Sequence, residues 1–442
     1  MGAHYISDGL LIHFLVIGTI LTWILLILYQ RHLFHWLSAG FWAWAAFALY
    51  FFITPLIQYY GNPVFLDERI VLTEGLPRMV WVTFFVAVGI VMFFWSYFRF
   101  HPGKPRFGLE QQAWPKGTWI VITVALLAAG YCLITYRGAF GTEMAAREFD
   151  GGKHIGKVTG YETVLYYFAI FPIILLLARN RTRNLGLAMA GLFLAGKLND
   201  PSDRFSAVSL FLAVSMIMTL RRRRKWPSAL WLLPVLAFTV FLQVRGHQTL
   251  SQFRESGRMT LKTGRYEVSR ADGAVMLSTL YLKSYIHDQV GYTYGIPLVS
   301  SVLFGALPRK YFPWKDWLVE GMFTKLGRAF ELEPLMYGGK SSVIGDLYGF
   351  GGIFAVAGGM FLLGFLVRRL DGWLAPQAPV PVRALGIVWL SCLWMMFGSA
   401  LLWSAAGLYI TAVPFAGVVL CAKFLGPAAR RSTLDPKYLL QR

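Results

Sequence analysis

The feature that most constrains this chain is a series of long apolar blocks separated by shorter polar segments. Each block runs for roughly 17–25 residues, the length that an α-helix needs to cross the hydrocarbon of a bilayer. Of 442 residues, 56% are hydrophobic and only 14% are charged, and the mean hydropathy is +0.53. The pattern predicts an all-α, polytopic integral membrane protein whose first span can also act as the insertion signal.

Hydropathy divides the chain into about eleven spans. Basic segments such as "RNRTR" (179–183) and "RRRRK" (221–225), together with the C-terminal tail, then fall on one side of the membrane. The positive-inside tendency makes that side cytoplasmic, so we expect the N-terminus outside and the C-terminus inside. The expected spans are residues 9–29, 36–56, 79–98, 118–136, 161–178, 184–197, 205–220, 228–244, 341–367, 384–403 and 407–424.

One long segment, residues 245–340, interrupts this series and is predicted to form a large loop on the outer face. It separates eight spans in residues 1–244 from three spans and a tail in residues 341–442. The loop is rich in aromatic and basic residues, so we expect it to fold rather than to serve as a flexible linker.

The net charge of +20 would suggest a nucleic-acid partner in a soluble protein. Here the charge has to be divided between the two sides of the membrane, and no nucleic acid is expected. P-loop, Rossmann and HExxH motifs do not occur in a suitable context, which disfavours nucleotide-driven chemistry. Cys132, Cys392 and Cys421 lie inside apolar blocks without metal-ligand spacing, so we predict neither a disulfide nor a metal site.

Two arginines are expected at membrane boundaries. Arg245 follows the eighth span in "FLQVRGHQTL", where it can meet a lipid-linked phosphate or act as a snorkelling anchor. Arg204 follows "PSD" at the start of the seventh span, where the helix dipole disfavours a cation. That position indicates a phosphate or carboxylate ligand, and the alternative is an ordinary polar turn.

The segment "ALPRKYFPWKDW" (306–317) combines Arg309 and Lys315 with prolines and aromatic residues. Aromatic rings stack on sugars and basic side chains bind acids, so a glycan-binding segment is one interpretation. An interfacial aromatic belt with basic anchors is the other.

The ninth span begins unusually, in "YGGKSSVIGDLYGFGG" (337–352). Asp346 lies about where the helix enters lipid, beside a stripe of small residues. The acid either complements the helix dipole or helps to position or deprotonate a hydroxyl in an outward-facing cavity, which Tyr348 and Lys340 would also line. The stripe, which permits close packing, comprises Ser341, Gly345, Gly349 and Gly352.

"LPRKYFPWK" (307–315) followed by "GGKSSVIGDLYGFGG" (338–352) resembles the bacterial oligosaccharide repeat-unit polymerases, the Wzy-type O-antigen and exopolysaccharide polymerases. Members are multi-span inner-membrane proteins with a large periplasmic loop before the last spans, and they carry an arginine in a mid-chain turn, where Arg204 falls. The sequence departs from the family pattern where Asp346 replaces the usual glutamate and where Lys315 directly follows Trp314.

The resemblance implies a GT-C-like membrane glycosyltransferase of the bacterial inner membrane. It would polymerise undecaprenyl-diphosphate-linked oligosaccharides into O-antigen, capsule or exopolysaccharide at the periplasmic face, without a cofactor. Implied partners are membrane lipid, a chain-length regulator and a flippase. Catalytic roles are implied for Asp346, His247 and Arg204. Substrate or phosphate binding is predicted for Arg245, Arg309, Lys315, Lys340, Ser341, Ser342 and Tyr348.

Three other functions remain open at this point. An O-antigen ligase has a similar layout, although "SVIGDLYGFG" (342–351) favours the polymerase. A lipid-linked oligosaccharide flippase or other transporter would carry ionisable residues along several spans and pseudo-symmetric halves. A structural subunit of an export complex would tolerate changes at Arg204 or Asp346.

Overall fold

The computed structural model describes most of the apolar blocks and part of the predicted outer loop. The described residues are 2–56, 68–99, 114, 117–135, 149–150, 153–154, 168–197, 205–228, 277, 280–281, 283–284, 287–288, 291–292, 294–295, 342–375, 378–398 and 401–425. The predicted eighth span lies outside this set from residue 229 onward. So do several predicted site residues: Arg204, Arg245, His247, Arg309, Lys315, Lys340 and Ser341.

The described chain is almost entirely helical. A two-residue antiparallel pair, β1 (Phe149–Asp150) with β2 (Lys153–His154), joins Phe149 to His154 and Asp150 to Lys153. The helices are α1 (Gly2–Gln30), α2 (Ala39–Ala48), α3 (Glu68–Arg99), α4 (Thr118–Thr135), α5 (Ile170–Ala178), α6 (Arg183–Lys197), α7 (Phe205–Arg221), α8 (Ser342–Trp373), α9 (Val380–Gly398) and α10 (Leu401–Leu425).

Four helical stretches within the described ranges are long and apolar enough to cross a membrane: 8–30, 39–56, 77–99 and 342–373. Shorter apolar helices occupy 118–131, 207–221, 380–394 and 411–424. An all-α membrane protein is therefore the class of this chain, as its hydropathy predicted. The eleven spans and their orientation stay predictions.

Helices α3 and α8 run parallel and make the most extensive helix contact among the described elements. Phe85 packs on Tyr348 near the start of α8, with ring centroids 4.4 Å apart. Further along, a Cβ on Gly364 would collide with the carbonyl of Phe93, so the two backbones touch there. Small residues permit this close approach in a membrane bundle, but Gly364 lies outside the predicted small-residue stripe.

A hydrogen-bonded tie joins α2, α3 and α8 at the end of the bundle where α8 terminates. The Asp371 carboxylate accepts the Ala39 N–H at 2.8 Å, at the N-terminus of α2, and also accepts the Tyr97 hydroxyl. The Tyr97 oxygen in turn accepts the Gly40 N–H at 3.1 Å. A carboxylate at a helix N-terminus satisfies free N–H groups and matches the dipole, so this tie stabilises the packing.

His13, the histidine of the first span, is buried between α1, α2 and α3. Its Nε2 lies 2.8 Å from the Phe51 carbonyl, and its Nδ1 lies 3.0 Å from the Thr83 hydroxyl. Phe51 belongs to the π-helical turn Leu49–Ile53 that extends α2, a geometry that disturbs the regular backbone pairing. His13 is thus a packed, hydrogen-bonded residue.

Candidate functional site

Charged and polar side chains gather where the first turns of α8 meet α3 and the predicted outer loop. The described loop residues between 277 and 295 (the loop segment) pack against the start of α8. Those that are helical are 277, 280–281, 283–284 and 287–288. We call the following set the polar cluster: Arg78, Trp81, Lys283, His287, Asp288, Tyr292, Asp346 and Tyr348.

Asp346 is paired with a lysine of the loop segment. Lys283 Nζ donates to Asp346 Oδ1 at 2.5 Å, and the two side chains are only 13% and 9% exposed. A buried carboxylate needs such a cation, because transfer of a lone charge out of water is costly. The ion pair holds the loop segment against the first turns of α8.

Asp288 joins three elements through its two carboxylate oxygens. Tyr348 donates its hydroxyl proton to Oδ1 at 2.8 Å, while Arg78 of α3 forms an ion pair with Oδ2. The indole of Trp81 donates to the Tyr348 hydroxyl oxygen, also at 2.8 Å. Tyr348 therefore both accepts and donates, and its ring lies buried between α3 and the loop segment.

His287 lies one helical turn after Lys283 and is almost fully buried. Its Nδ1 is 2.9 Å from the Gly291 carbonyl, and because a carbonyl only accepts, Nδ1 carries the proton. Burial lowers the pKa of His287. The Gly291 contact opposes this, Lys283 lowers the pKa further, and Asp288 and Asp346 raise it. The ring is thus held neutral, with Nε2 unprotonated and packed against Gly349.

Helix α8 is broken at Gly351 and Gly352, directly after the polar cluster. Gly352 has φ 63° and ψ −150°, a combination essentially confined to glycine. The loop segment covers the break: Tyr294 N–H donates to the Phe350 carbonyl at 2.9 Å, and the Tyr292 hydroxyl lies over Gly352. A broken membrane helix is tolerated where other protein groups satisfy its backbone.

Ser342 begins α8 with a positive φ of 59°, and its hydroxyl accepts the Gly345 N–H at 3.3 Å. This is a capping contact at the helix start. Of the small-residue stripe, Gly349 faces His287 and Gly352 faces Tyr292. At these two positions the bare face of α8 therefore receives side chains of the loop segment.

An open cleft of about 240 Å³ lies beside the polar cluster, lined by Pro77, Arg78, Trp81 and Asp288. Pro77 begins the apolar stretch of α3, so the cleft lies at one end of a helix that is long and apolar enough to cross a membrane. Within the described ranges, no group of three or more His, Cys, Asp or Glu side chains is arranged to hold a metal ion.

Of the residues singled out from sequence, Asp346 and Tyr348 lie in the polar cluster, while Ser342 caps the start of the same helix. Sequence reasoning missed their partners on α3 and in the loop segment. The signal was present in "LKSYIHDQV" (282–290), where Lys283 and His287 are spaced i, i+4, the spacing of neighbours on one helix face, and Asp288 follows directly. Without knowledge of the fold, nothing linked that segment to Asp346.

No protein-family model, curated protein or solved structure matches this chain. The chemistry of the site therefore rests on its own geometry. It offers a buried carboxylate with its cation, a neutral histidine, and an arginine–aspartate pair beside an aromatic ring in an open cleft.

Proposed function

We propose that this chain is a multi-pass membrane glycosyltransferase of the bacterial inner membrane. It polymerises undecaprenyl-diphosphate-linked oligosaccharide repeat units into O-antigen, capsule or exopolysaccharide at the periplasmic face. The proposal includes a GT-C-like bundle of about eleven spans and needs no nucleotide. Membrane lipid, a flippase that supplies the repeat units and a chain-length regulator are the proposed partners.

The observation that carries the proposal is the buried Asp346–Lys283 pair at the start of a membrane-length helix. Ionisable groups at this depth are costly and are usually functional. A substrate tethered to a lipid carrier delivers its reactive bond close to the membrane surface. An enzyme for such a substrate therefore needs its polar groups at the end of the bundle, where the polar cluster lies.

The proposed reaction exchanges one bond at an anomeric carbon. A sugar hydroxyl of the incoming repeat unit attacks that carbon on the growing chain, and the bond from carbon to the carrier diphosphate breaks. The proton of the hydroxyl passes to a base, for which Asp346 is the candidate, and the lipid diphosphate leaves with the bonding electrons. Lys283 would hold the carboxylate in place.

The departing diphosphate needs cations that are not already neutralised. Arg78 and Lys283 each pair with a carboxylate. The phosphate-binding prediction therefore stays with Arg204, Arg245 and Arg309, which lie outside the described residues. Arg204→Ala and Arg309→Ala should abolish chain extension and leave the protein abundant in the membrane. Normal polymerisation by both variants would remove the phosphate assignment.

The test of function is the surface-glycan ladder of cells that lack this chain, beside cells restored with wild type or Asp346→Ala. Collapse from long chains to single repeat units, rescued by wild type alone, supports polymerisation. Accumulation of long chains on the lipid carrier would instead indicate a ligase. An unchanged ladder would contradict the proposal and favour a transporter or a structural subunit. Immunoblotting of membranes controls for the amount of each variant.

A further inference from the structure

The cleft beside the polar cluster is the feature that the proposed reaction leaves without a role. Its lining combines a cation, an anion, an indole and a proline: Arg78, Asp288, Trp81 and Pro77. The side chain of Asp288 remains 31% exposed even though it pairs with Arg78. The Asp288 side chain is thus partly open to a ligand that enters the cleft, which Arg78 also lines.

The charges of the described cluster argue against an anionic ligand. Arg78 is matched by Asp288 and Lys283 by Asp346, so the two cations are balanced by two carboxylates. A phosphate placed against Arg78 would also meet the carboxylate of Asp288, and like charges at short range repel strongly. The cleft therefore suits a neutral ligand better than a diphosphate.

The lining groups fit a ligand with many hydroxyls. Carboxylate oxygens accept from hydroxyl groups, guanidinium N–H groups donate to them, and these charge-assisted hydrogen bonds are among the stronger ones. An indole and a proline provide apolar surface for the C–H face of a sugar ring. The cleft of about 240 Å³ is smaller than the roughly 300–1,000 Å³ of typical drug-sized sites, which points to one ring.

We propose that this cleft is a sugar subsite that binds one uncharged glycosyl residue of the repeat unit. The inference rests on the proposed function and names the part of the substrate that the described residues hold. Trp81 and Asp288 both hydrogen bond to Tyr348, which lies two positions after Asp346 on α8. A sugar in the cleft is thereby held next to the elements that carry the candidate base.

The test uses the full-length protein in lipid nanodiscs and the oligosaccharide repeat unit released from its carrier by mild acid. Binding is measured by titration for wild type, Asp288→Asn and Arg78→Lys. Arg78→Lys keeps the positive charge but loses the planar two-pronged donor. The matched control is Arg99→Lys at the opposite end of α3, where Arg99 lies 5.9 Å from the centre of the Trp95 ring.

We expect wild type and Arg99→Lys to bind the released oligosaccharide equally. Both cleft variants should bind about tenfold more weakly, since Asp288→Asn loses the charged acceptor and Arg78→Lys loses the two-pronged donor. Inorganic pyrophosphate should not displace the sugar. Arg78→Lys, which can keep the ion pair, provides the test should Asp288→Asn fail to fold. Size-exclusion profiles identify such a failure.

Three results would overturn the subsite: no binding by wild type, equal binding by the cleft variants, or displacement by pyrophosphate. The last result would show an anion site. Failure of the subsite is separable from failure of the proposed function. If wild type extends the glycan but binds no sugar at the cleft, only the subsite proposal is wrong. If the protein binds sugar in the expected pattern but the cells extend no glycan, the sugar-subsite proposal stands and the polymerase proposal is wrong.

Discussion

Asp346 forms a buried ion pair in the structure and is also the candidate base of the proposed reaction. Its carboxylate is mostly buried at the start of α8, and Lys283 compensates for the lost hydration. A single substitution at Asp346 removes the ion pair whether or not it removes a base, so its effect on glycan synthesis alone does not reveal a catalytic role.

A paired substitution separates the two contributions. Lys283→Met or Asp346→Leu alone should destabilise the protein by about 3–5 kcal/mol, because each leaves a buried charge without its partner. The double variant should recover most of that free energy of unfolding. Thermal unfolding in detergent measures the recovery, and the glycan ladder is recorded for the same variants.

If Asp346 acts on the substrate, the double variant is stable and still fails to extend the glycan. Restored stability together with a restored ladder would assign Asp346 a structural role only. Met and Leu fill similar volumes without charge, so the packing of α8 against the loop segment is approximately kept.

His287 gives the site a defined response to pH. Burial lowers its pKa in the folded protein, whereas the unfolded chain titrates at about 6.5. The unfolded state then binds more protons below that pH. The contribution of His287 to stability is complete above about pH 6.5 and is lost as the pH falls towards the pKa of His287 in the folded protein.

The matched variant is His287→Asn, whose side-chain amide can still donate to the Gly291 carbonyl. We expect wild type to lose stability on acidification more steeply than this variant, so that the difference between their Tm values narrows from pH 7.5 to pH 5. Parallel pH profiles for the two proteins would contradict the buried, neutral state of His287.

At the scale of the element, α8 behaves as two helical pieces. The first, up to Phe350, carries the acid and contacts the loop segment, and the second continues along α3. The break allows the loop segment to satisfy a backbone carbonyl that a continuous helix would use internally. Without the break, Tyr292 could not lie over the backbone as it does.

Gly352→Ala tests the break. The substitution places a Cβ 2.8 Å from the Tyr292 hydroxyl and imposes a backbone conformation that costs other residues about 1–3 kcal/mol. Gly358→Ala on the same helix is the control, since a Cβ there meets nothing within 4 Å. We expect Tm to fall for the first variant and to stay or rise for the second. If Gly352→Ala and Gly358→Ala changed Tm equally, the break in the helix at Gly352 would be contradicted.

At the scale of the whole molecule, the parallel course of α3 and α8 places the polar cluster at one end of the bundle and the Tyr97–Asp371 tie at the other. The predicted orientation assigns the first end to the periplasm and the second to the cytoplasm. The proposed function depends on that assignment, because the proposed reaction takes place at the periplasmic face.

Single-cysteine labelling tests the orientation. In a background without Cys132, Cys392 and Cys421, Tyr294→Cys should react with a membrane-impermeant maleimide in intact spheroplasts, and Arg224→Cys only after permeabilisation. Both positions are exposed in the described structure, so each can react. The reverse pattern would place the polar cluster in the cytoplasm and exclude the proposed reaction at that site.

Much of the fold follows from the sequence because hydrocarbon imposes simple rules. A spanning backbone must form its hydrogen bonds internally, so a long apolar block becomes a helix wherever it occurs in the chain. Residues 79–98 and 341–367 were predicted as spans, and helices cover them as far as the described residues extend. The acid at the start of the ninth span was also visible as an anomaly.

The sequence by itself determined the membrane class, the approximate positions of the described helices and Asp346 as the unusual residue, because local hydropathy and cost of burial depend on residue type alone. Only the tertiary structure decided which groups surround that acid. Lys283 lies 63 positions from Asp346, and Arg78 lies 210 positions from Asp288. Such pairs depend on how the loop segment folds back onto α3 and α8, and no periodicity in the sequence encodes that path.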